Sequence, residues 1–381
     1  MAKRIKIVTI VGARPQFIKA VSVSNALKKI KNSFIEEVLV HTGQHYDYKM
    51  SGVFFRDLDL PKPQYFLEIG SHSHGKQTGL MLEKIERVLL KEKPYLVMVY
   101  GDTNSTLAGA LAASKLHIPI AHVEAGMRSF NKTMPEEINR VLVDHLSTLL
   151  FCSSKTAMQN LEKEGIYDHP LKPFRRVFNV GDVMVDSLKE YSRKAKIRSN
   201  ILKTLNLKSK SYFLATIHRA ENTDNKKKLE VIFRSLNEIS KKGHHIIMPL
   251  HPRTRSAFNT FPNKKLHPFF HLTDPVSYLD MLCLEKNALG VFTDSGGVQK
   301  EAYLFKIPAL TLRDETEWVE TIQEGWNKLV PIEIKSIKKA FYNLKKFRNR
   351  RNLIHYGQGT ASIRIISFIQ NFLSSREGSR M

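Results

Sequence analysis

The 381-residue sequence contains few of the features that mark secreted, zinc-binding or membrane-spanning proteins. Its two cysteines, Cys152 and Cys283, lie far apart and belong to no Cys-x-x-Cys or Cys/His pattern. This scarcity excludes a disulfide framework and a zinc module, so no metal site is predicted. No apolar run approaches the roughly 18 residues that a membrane span requires. The run Ile7–Val11 is also shorter than a signal-peptide core of roughly 7–15 residues, so we expect a cytoplasmic protein without membrane insertion.

Acidic residues are scarce as well. The chain has 36 Asp and Glu against 60 Lys and Arg, which leaves a net charge of +24. Such an excess suits nucleic acid, an anionic membrane or an anionic small substrate, whose capture would then be salt-sensitive. The content of 42% hydrophobic and 25% charged residues is typical of globular proteins and excludes disorder as the main state. Because single cores stop growing near about 250–300 residues, the length predicts two domains.

The first half of the sequence predicts a parallel sheet. Short runs rich in Val and Ile alternate with longer amphipathic segments, which is the pattern of βα units with both sheet faces covered. The predicted strands are Ile5–Val11, Glu37–Thr42, Tyr95–Gly101, Ile118–Glu124 and Leu149–Ser153. The predicted helices are Phe17–Ile30, Gly75–Lys91, Asn104–Leu116 and Glu136–Leu146.

The pattern restarts in the second half, which predicts a second α/β domain. Its predicted elements are the strands Tyr212–His218, His245–His251 and Ala288–Thr293 and the helices Lys227–Lys241 and Val298–Phe305. The join lies in Arg175–Asp186, after a loop with Pro170 and Pro173, and a last helix, Ala361–Ser374, follows a glycine turn. We assign residues 1–180 to the first domain, 181–357 to the second and 358–381 to the C-terminal segment. Ligands of two such sheets bind outside the carboxyl ends of the strands, in the cleft between the domains.

The loop after the first strand carries two basic residues at the start of a helix. Its sequence, Gly12-Ala13-Arg14-Pro15, matches neither the dinucleotide fingerprint nor the phosphate-binding loop of nucleotide hydrolases. A helix N-terminus with Arg14 and Lys19 nearby nevertheless suits a phosphate. The alternative is that Arg14 is a solvated loop residue.

Carboxylates follow two consecutive predicted strands. Asp102 comes after Tyr95–Gly101, Glu124 closes Ile118–Glu124, and Glu136 follows soon after. Carboxylates that share a site raise one another's pKa, so that one of them can hold a proton near neutral pH. Asp102 could instead be a helix N-cap, and Glu136 with Glu137 could complement the dipole of a helix.

The second half places histidines and a glycine turn at the strand ends. His218 and His251 each end a predicted strand, and histidine exchanges protons near neutral pH. The turn Ser295-Gly296-Gly297 opens a helix, so its amides can cradle a phosphate, and Glu301 lies one turn later, within reach of ribose hydroxyls. Each histidine taken alone is more often structural than catalytic.

Taken together, these residues resemble the non-hydrolysing UDP-N-acetylglucosamine 2-epimerase family. The matching stretches run in family order through nearly the whole chain and are Gly12-Ala13-Arg14-Pro15, Thr42-Gly43-Gln44-His45, Gly101-Asp102-Thr103, His122-Val123-Glu124-Ala125-Gly126, Pro135-Glu136-Glu137-Ile138-Asn139-Arg140, His218-Arg219-Ala220-Glu221-Asn222, Asp294-Ser295-Gly296-Gly297 and the turn at Tyr356-Gly357.

The resemblance implies a GT-B-like fold, in which two Rossmann-like domains face a central cleft and the last helix packs back on the first domain. It implies C2 inversion of a UDP-2-acetamido sugar, without a dissociable cofactor, by elimination and re-addition of UDP through a glycal, in a homodimer. By position, the catalytic residues are Asp102, Glu124, Glu136 and His218. The residues that hold UDP are Arg14, Lys19, His251, Ser295, Gly296, Gly297, Glu301 and Arg313.

Departures from the common family pattern bear on the substrate. Commoner members carry Thr-Glu-Arg-Pro-Glu where this chain has Thr316-Glu317-Trp318-Val319-Glu320. With Gly325-Trp326-Asn327 and Tyr46-Asp47-Tyr48, this stretch resembles the branch that acts on UDP-2,3-diacetamido-2,3-dideoxyglucuronate. Conversion of UDP-GlcNAc to UDP-ManNAc, for cell-surface polysaccharide precursors, and epimerisation of the uronate both stay open.

Two other classes of protein would explain parts of the sequence. A GT-B glycosyltransferase would share the fold and the UDP site, but it would not need the three carboxylate motifs together. A nucleic-acid-binding protein would use the positive charge, and Lys335–Arg351 is a basic segment containing aromatic residues. Its apolar residues Ile337, Phe341, Leu344 and Phe347 recur at helical spacing, so we interpret it as an amphipathic helix with a solvated basic face and predict no nucleic-acid partner.

Overall fold

The structure is a computed structural model that describes residues 4–30, 34–44, 60–169, 174–262, 265–344 and 355–377. The chain divides into two compact units, Met1–Lys189 with Ile354–Met381 and Glu190–Leu353. The boundary lies after residue 189 rather than after residue 180, because the helix Val183–Arg198 begins within the first unit. There, Ser187 Oγ lies 2.6 Å from Ser22 Oγ and donates to the Ile18 carbonyl.

The first unit contains a parallel sheet of seven strands in the order β3-β2-β1-β4-β5-β6-β7. Its strands are β1 (Ile5–Val11), β2 (Ile35–His41), β3 (Tyr65–Phe66), β4 (Leu96–Tyr100), β5 (Ile120–Ala125), β6 (Leu149–Cys152) and β7 (Arg176–Asn179). Its helices up to the division are α1 (Arg14–Lys28), α2 (His74–Glu92), α3 (Asn104–Lys115), α4 (Pro135–Leu146), α5 (Lys155–Lys163) and α6 (Val183–Arg198), the last of which continues into the second unit.

The second unit contains a parallel sheet of six strands in the order β10-β9-β8-β11-β12-β13. Its strands are β8 (Tyr212–Thr216), β9 (His245–Pro249), β10 (Phe270–Thr273), β11 (Gly290–Thr293), β12 (Ala309–Thr311) and β13 (Asn327–Leu329). Its helices are α7 (Ile201–Thr204), α8 (Ala220–Thr223), α9 (Lys226–Ser240), α10 (Pro252–Asn259), α11 (Tyr278–Asn287), α12 (Gly296–Leu304), α13 (Val319–Gln323) and α14 (Ile334–Tyr342). The C-terminal helix, α15 (Ala361–Glu377), packs against α1 in the first unit.

Each sheet is buried on both faces, as the continuous apolar runs predict. Val8, Val97 and Val99 belong to one core in the first unit, and Phe213 and Phe292 belong to one in the second. Burial of these side chains away from water provides the main favourable free energy of folding.

None of the helices in the described part of the chain combines the length and apolar character that a bilayer crossing demands.

The basic segment in the second unit folds as an amphipathic helix over its described part. Ile337, Phe341 and Leu344 are buried in the core, and Phe213 packs edge-on against Phe341 at 4.9 Å. The basic residues therefore lie on the opposite face of α14, as the spacing predicts. Phe347 lies outside the described residues.

The predicted α/β class with two parallel Rossmann-like sheets is confirmed, and every predicted strand and helix is present with small shifts of its ends. The pattern did not predict the short strands β3, β7, β10, β12 and β13, which have two to four residues each. A strand of that length has no periodicity of its own and exists because a neighbouring strand supplies its hydrogen bonds. The central cleft stays a prediction.

Candidate functional site

Helix α1, which follows β1, and the end of β5 bring a lysine and a carboxylate together at one edge of the first sheet. Lys19 of α1 forms an ion pair with Glu124 at the end of β5, and only 11% and 7% of these two side chains are exposed. A Cβ atom on Gly101 would lie 3.3 Å from both Glu124 Oε2 and Lys19 Nζ. The ion pair therefore lies directly against the turn that carries Asp102.

Asp102 is held by two consecutive residues of α4. Arg140 NH2 lies 2.6 Å from Asp102 Oδ2, and Asn139 Nδ2 donates to the Asp102 carbonyl at 2.9 Å. The Arg140 side chain is buried, whereas about a third of the Asp102 side chain, 32%, is exposed. Asp102 is therefore fixed at its backbone and on one oxygen while its carboxylate still reaches the surface.

The environment raises the pKa of Asp102 above its ordinary value of 3.8. Desolvation of the carboxylate is the largest cause, and it outweighs the opposing positive charges of Arg140 and Lys19. The negative charges of Glu124 and Glu136 add to the increase. These surroundings therefore favour the protonated form of Asp102 more than water does.

Glu124 has a left-handed backbone conformation, which is unusual for a residue other than glycine. Its φ is +74°, and the register between β5 and β6 shifts between Val123 and Ala125. A non-glycine residue in this region is strained, and such strain is concentrated at functional sites. The strained residue and the shift in register coincide with the carboxylate that contacts Lys19.

Glu136 and Glu137 begin α4, as predicted, but their surroundings differ. Glu137 is buried and accepts hydrogen bonds from the amides of Ser129 and Phe130, at 2.9 Å each. It therefore ties the preceding loop to the helix. Glu136 is partly exposed, and its charge acts on Asp102.

The predicted phosphate site at the start of α1 has its first amides already occupied. Gln16 Oε1 accepts hydrogen bonds from the amides of Gly12 and Ala13 at 2.8 and 3.0 Å. Arg14 is half-buried at the first position of the helix, and Lys19 binds Glu124. A phosphate at this loop would depend on these two side chains rather than on the two amides, and their role stays a prediction.

In the second unit, a buried aspartate shapes the turn that carries His218. Asp294 accepts hydrogen bonds from the amides of His218 and Arg219 at 3.0 Å and from Asn222 Nδ2 at 3.0 Å. The His218 ring lies near the same carboxylate, with 3.6 Å between Nδ1 and Oδ1, and 39% of its side chain is exposed. His218 is therefore held from one side and accessible from the other.

His251 lies beside His218. Their ring centres are 5.6 Å apart, and His251 caps α10 by accepting the Arg253 amide at its Nδ1 atom, 3.2 Å away. The turns after β8 and β9 thus bring two of the predicted residues together at one edge of the second sheet.

A buried arginine with unused donors lies near the start of α12. Arg313 is 3% exposed, and NH1 lies 3.3 Å from Glu317 Oε2. Within the described ranges, its Nε and NH2 atoms have no hydrogen-bond partner. A Cβ on Gly296 would lie 2.7 Å from the other Glu317 oxygen, so Glu317 connects Arg313 to the Ser295-Gly296-Gly297 turn. A buried guanidinium with unpaired donors next to a helix N-terminus suits an anion.

Two further side chains of α12, Glu301 and Lys300, make buried contacts. Glu301 is 5% exposed and accepts a hydrogen bond from Tyr278 OH at 2.8 Å. Lys300 is buried, and its Nζ atom lies 3.8 Å from the ring centre of Trp318. Trp318 is the position at which commoner family members carry arginine. The Thr316–Glu320 stretch therefore packs on α12, whereas Tyr46-Asp47-Tyr48 and His45 lie outside the described residues.

The predicted residues form two groups, one in each unit. The first contains Arg14, Lys19, Asp102, Glu124 and Glu136, and the second contains His218, His251, Ser295, Gly296, Gly297, Glu301 and Arg313. In the described part of the chain, no group of three or more His, Cys, Asp or Glu side chains could hold a metal ion.

Sequence reasoning missed the residues that hold these groups in place. Arg140 lies one helical turn after Glu136, and this spacing could have indicated a partner for a carboxylate. Asp294 directly follows β11, a position that is itself a signal in a parallel sheet. Asp144, which binds the buried ring of His122, has no signal in the sequence, because an acidic residue late in a helix is typical of a solvated face.

Comparison with known proteins gives the family. A family model described as UDP-N-acetylglucosamine 2-epimerase matches residues 28–370. The chain is 52% identical over 372 residues to the UDP-N-acetylglucosamine 2-epimerase homolog of Methanococcus maripaludis, covering 96% of this chain and 99% of that protein. It is 49% identical over 366 residues to the UDP-2,3-diacetamido-2,3-dideoxy-D-glucuronate 2-epimerase of Pseudomonas aeruginosa, with the same 96% and 99% coverage.

A solved structure extends the comparison to the fold. The crystal structure of Methanocaldococcus jannaschii UDP-GlcNAc 2-epimerase in complex with UDP-GlcNAc and UDP has a TM-score of 0.87 and 43% identity, and the match covers 96% of this chain and 100% of that chain. The predicted GT-B-like class and the predicted isomerase type are confirmed by these matches. Because they span both units and almost the full length of each relative, the chain belongs to the UDP-N-acetylglucosamine 2-epimerase family.

Proposed function

We propose that this protein inverts C2 of a UDP-2-acetamido sugar by eliminating UDP and adding it back. The observation that carries the proposal is the meeting of Asp102 and Glu124 at the edge of the first sheet, with Lys19 and Arg140 bound to them. Inversion requires a proton to leave C2 on one face and return on the other, and therefore two acid/base groups. Two carboxylates from consecutive strands, each paired with a cation, suit that task.

The second unit has the features that a diphosphate needs. UDP departs as an anion, and positive groups and helix N-termini stabilise the negative charge that develops. The unpaired donors of Arg313 and the Ser295-Gly296-Gly297 turn support a UDP site here, and Glu301 adds an acceptor suited to ribose hydroxyls. The relative from M. jannaschii was solved with UDP-GlcNAc and UDP bound, which supports the same ligand class.

The chemistry proceeds in two half-reactions. In the first, the C1–O bond breaks, its electron pair leaves with UDP, and the C2 proton passes to a base to give a glycal. In the second, a proton returns to C2 on the opposite face and UDP re-forms the C1–O bond. Electrons are neither gained nor lost, so no redox cofactor is proposed. Because the C2 proton is weakly acidic, the C1–O bond breaks early, and carboxylates stabilise the positive charge at C1.

The surroundings of the residues support a division of these roles. Asp102, whose pKa is raised, suits the group that holds a proton, and Glu124, in contact with Lys19, is the second acid/base group. Glu136 contributes negative charge, and His218 presents an accessible ring from the second unit.

Two substrates fit this chemistry. We propose conversion of UDP-GlcNAc to UDP-ManNAc, for cell-surface polysaccharide precursors, because the solved relative at 43% identity is a UDP-GlcNAc 2-epimerase. The alternative is UDP-2,3-diacetamido-2,3-dideoxyglucuronate, which the P. aeruginosa relative at 49% identity supports, together with Trp318 in place of arginine.

The test is product analysis by NMR in deuterated water with each sugar nucleotide offered separately. We expect inversion at C2 and incorporation of solvent deuterium there, and the sugar that turns over identifies the substrate. Glu124→Gln should reduce kcat by about 100-fold or more, because acid/base groups contribute roughly 10²–10⁴-fold. Glu83→Gln, in an exposed pair with Arg87, is the matched control.

Two outcomes would contradict the proposal. Near wild-type turnover by Glu124→Gln would remove that residue from the mechanism. Release of UDP only when an acceptor is added, without deuterium at C2, would indicate a glycosyltransferase instead. The homodimer and the cytoplasmic location stay predictions, and sedimentation analysis tests the first of these.

A further inference from the structure

A buried histidine connects the two turns that carry the catalytic carboxylates proposed above. His122 is fully buried in β5, and its Nε2 atom lies 2.8 Å from the carbonyl oxygen of Gly101, the residue before Asp102. Its Nδ1 atom lies 2.7 Å from Asp144 Oδ1 on α4. No step of the proposed mechanism uses either side chain.

Asp144 binds the second turn directly. Its Oδ2 atom accepts a hydrogen bond from the amide of Gly126, two residues after Glu124, at 3.1 Å. One buried carboxylate thus holds the Glu124 turn through Gly126 and the Asp102 turn through His122. Gly101 and Gly126 tolerate their positive φ angles of +62° and +79°, whereas Glu124, at +74°, is strained and needs such support.

The acceptors around His122 require its ring to donate at both nitrogens. The Gly101 carbonyl can only accept, so Nε2 must carry a hydrogen. Burial would raise the pKa of Asp144, but the charges of and hydrogen bonds from His122 and Arg128 outweigh it and hold that pKa below its ordinary value. Asp144 Oδ2 also accepts the Gly126 amide and the Arg128 guanidinium, as an ionised carboxylate does, so Nδ1 donates to Oδ1.

The outer end of the network secures Asp144. Arg128 NH1 donates to Asp144 Oδ2 at 2.7 Å, and the same guanidinium binds both oxygens of Glu164 at 2.7 and 2.6 Å. Two positive and two negative groups are thus paired, which removes most of the cost of burying them. Glu164 is partly exposed, and besides Arg128 it lies 4.0 Å from His145 Nε2.

We propose that His122 and Asp144 are positioning residues that set the distance between Asp102 and Glu124 for proton transfer at C2. This inference rests on the proposed function. The hydrogen bond from His122 to Gly101 is the link that carries the effect, and it acts beside the backbone hydrogen bond from the Gly101 amide to the Val123 carbonyl at 3.0 Å. A displacement of about 1 Å at a reacting group costs roughly 100-fold in rate.

Two amide substitutions separate the two hydrogen bonds of His122. In His122→Gln the side-chain nitrogen occupies the place of Nε2 and still donates to Gly101, whereas in His122→Asn it occupies the place of Nδ1 and donates only to Asp144. Both variants lose the same charge. We expect His122→Asn to lose about 100-fold in kcat with KM within about threefold, while His122→Gln stays within about fivefold of wild type.

Glu164→Gln is the structural control, because it weakens the contact with Arg128 and leaves both turns untouched. It should lower Tm and leave kcat unchanged. Equal kcat values for the two His122 variants, or a loss of kcat in folded Glu164→Gln as large as that of His122→Asn, would overturn the proposal.

Should His122→Asn fail to fold, the wild-type protein still provides a test. With ¹⁵N-labelled histidine, NMR should reveal one ring with hydrogens on both nitrogens, protected from solvent exchange and lost in His122→Gln. Absence of such a ring overturns the proposal. Turnover of the wild type on either sugar is measured first, and its absence would contradict the proposed function while leaving the ring measurement valid.

Discussion

Arg140 and Asp102 form an ion pair of 2.6 Å between a buried guanidinium and a carboxylate that is one-third exposed. The pair connects α4 to the turn after β4. It also provides the largest of the effects that oppose the rise in the pKa of Asp102.

Replacing Arg140 by methionine should raise the pKa of Asp102 further, because the positive charge that lowers it is removed. The limb of the pH profile of kcat/KM that reports Asp102 should therefore move to higher pH. The measurement is the pH dependence of kcat/KM for wild type and Arg140→Met. Arg87→Met, which breaks an exposed pair with Glu83, should leave the profile in place, and an unmoved profile in Arg140→Met would mean that Asp102 does not titrate in either limb.

Lys19 and Glu124 should be strongly coupled in stability, because each is the buried charge that balances the other. Removing one partner of a buried pair costs about 3–5 kcal/mol, whereas removing both relieves much of that loss. We expect Lys19→Met and Glu124→Gln each to lower the free energy of unfolding, and the double variant to lose less than the sum.

Urea denaturation of the four proteins measures this coupling free energy. The exposed pair of Arg87 and Glu83 is the comparison, for which about 0–1 kcal/mol is expected. Additive losses for Lys19 and Glu124 would show that the buried contact contributes no more than a surface pair.

Two adjacent glycines should respond differently to alanine. A Cβ at Gly296 would lie 2.7 Å from Glu317 Oε1 and 3.2 Å from Trp318 Nε1, whereas at Gly297 the nearest atom is Ser295 Oγ at 3.8 Å. Gly296→Ala must displace Glu317 from Arg313, so it should lower Tm and weaken UDP binding by about tenfold. Gly297→Ala has room for the methyl group and should keep or raise Tm, since alanine is the better helix former by up to about 1 kcal/mol.

Thermal unfolding of both variants and calorimetric titration with UDP make the comparison. The same fall in Tm for the two alanines would exclude the contact with Glu317 as the cause.

Glu37 should make the protein less stable as the pH rises. Burial is the largest cause that raises its pKa above the ordinary 4.5, against hydrogen bonds from Thr9 and Ser24 and the charge of Lys28. Because the folded-state pKa is the higher one, the contribution to stability is complete below the unfolded pKa and is lost as the pH rises through the folded value.

Glu37→Gln removes this loss, and one carbonyl oxygen can still accept from both hydroxyls, which now donate to the same Oε1 atom. The variant should have a higher Tm than wild type at pH 8, by a few degrees, since 1 kcal/mol corresponds to about 2–4 °C in a unit of this size. The difference should close at pH 4. Scanning calorimetry at both pH values measures it, and an equal difference at the two would rule out ionisation of Glu37 as its source.

The sequence by itself determined the two α/β halves and the motifs at the strand ends. Strands such as Ile5–Val11 and Tyr212–Thr216 can be predicted from their own residues alone, because a strand buried on both faces has a continuous apolar sequence. The turns that carry Asp102 and His218 follow directly from where those runs end.

Only the tertiary structure decided which charges meet. Lys19 and Glu124 are 105 residues apart and touch because β1, β4 and β5 are neighbours in the sheet. From the sequence, His122 is a strand residue and Asp144 is an acidic residue on a solvated helix face. In the structure, α4 brings Asp144 into contact with His122 in the interior. The local pattern of apolar residues predicts which residues are buried. The identity of a buried residue's partner depends on the order of the strands in the sheet, which cannot be predicted from one segment of sequence.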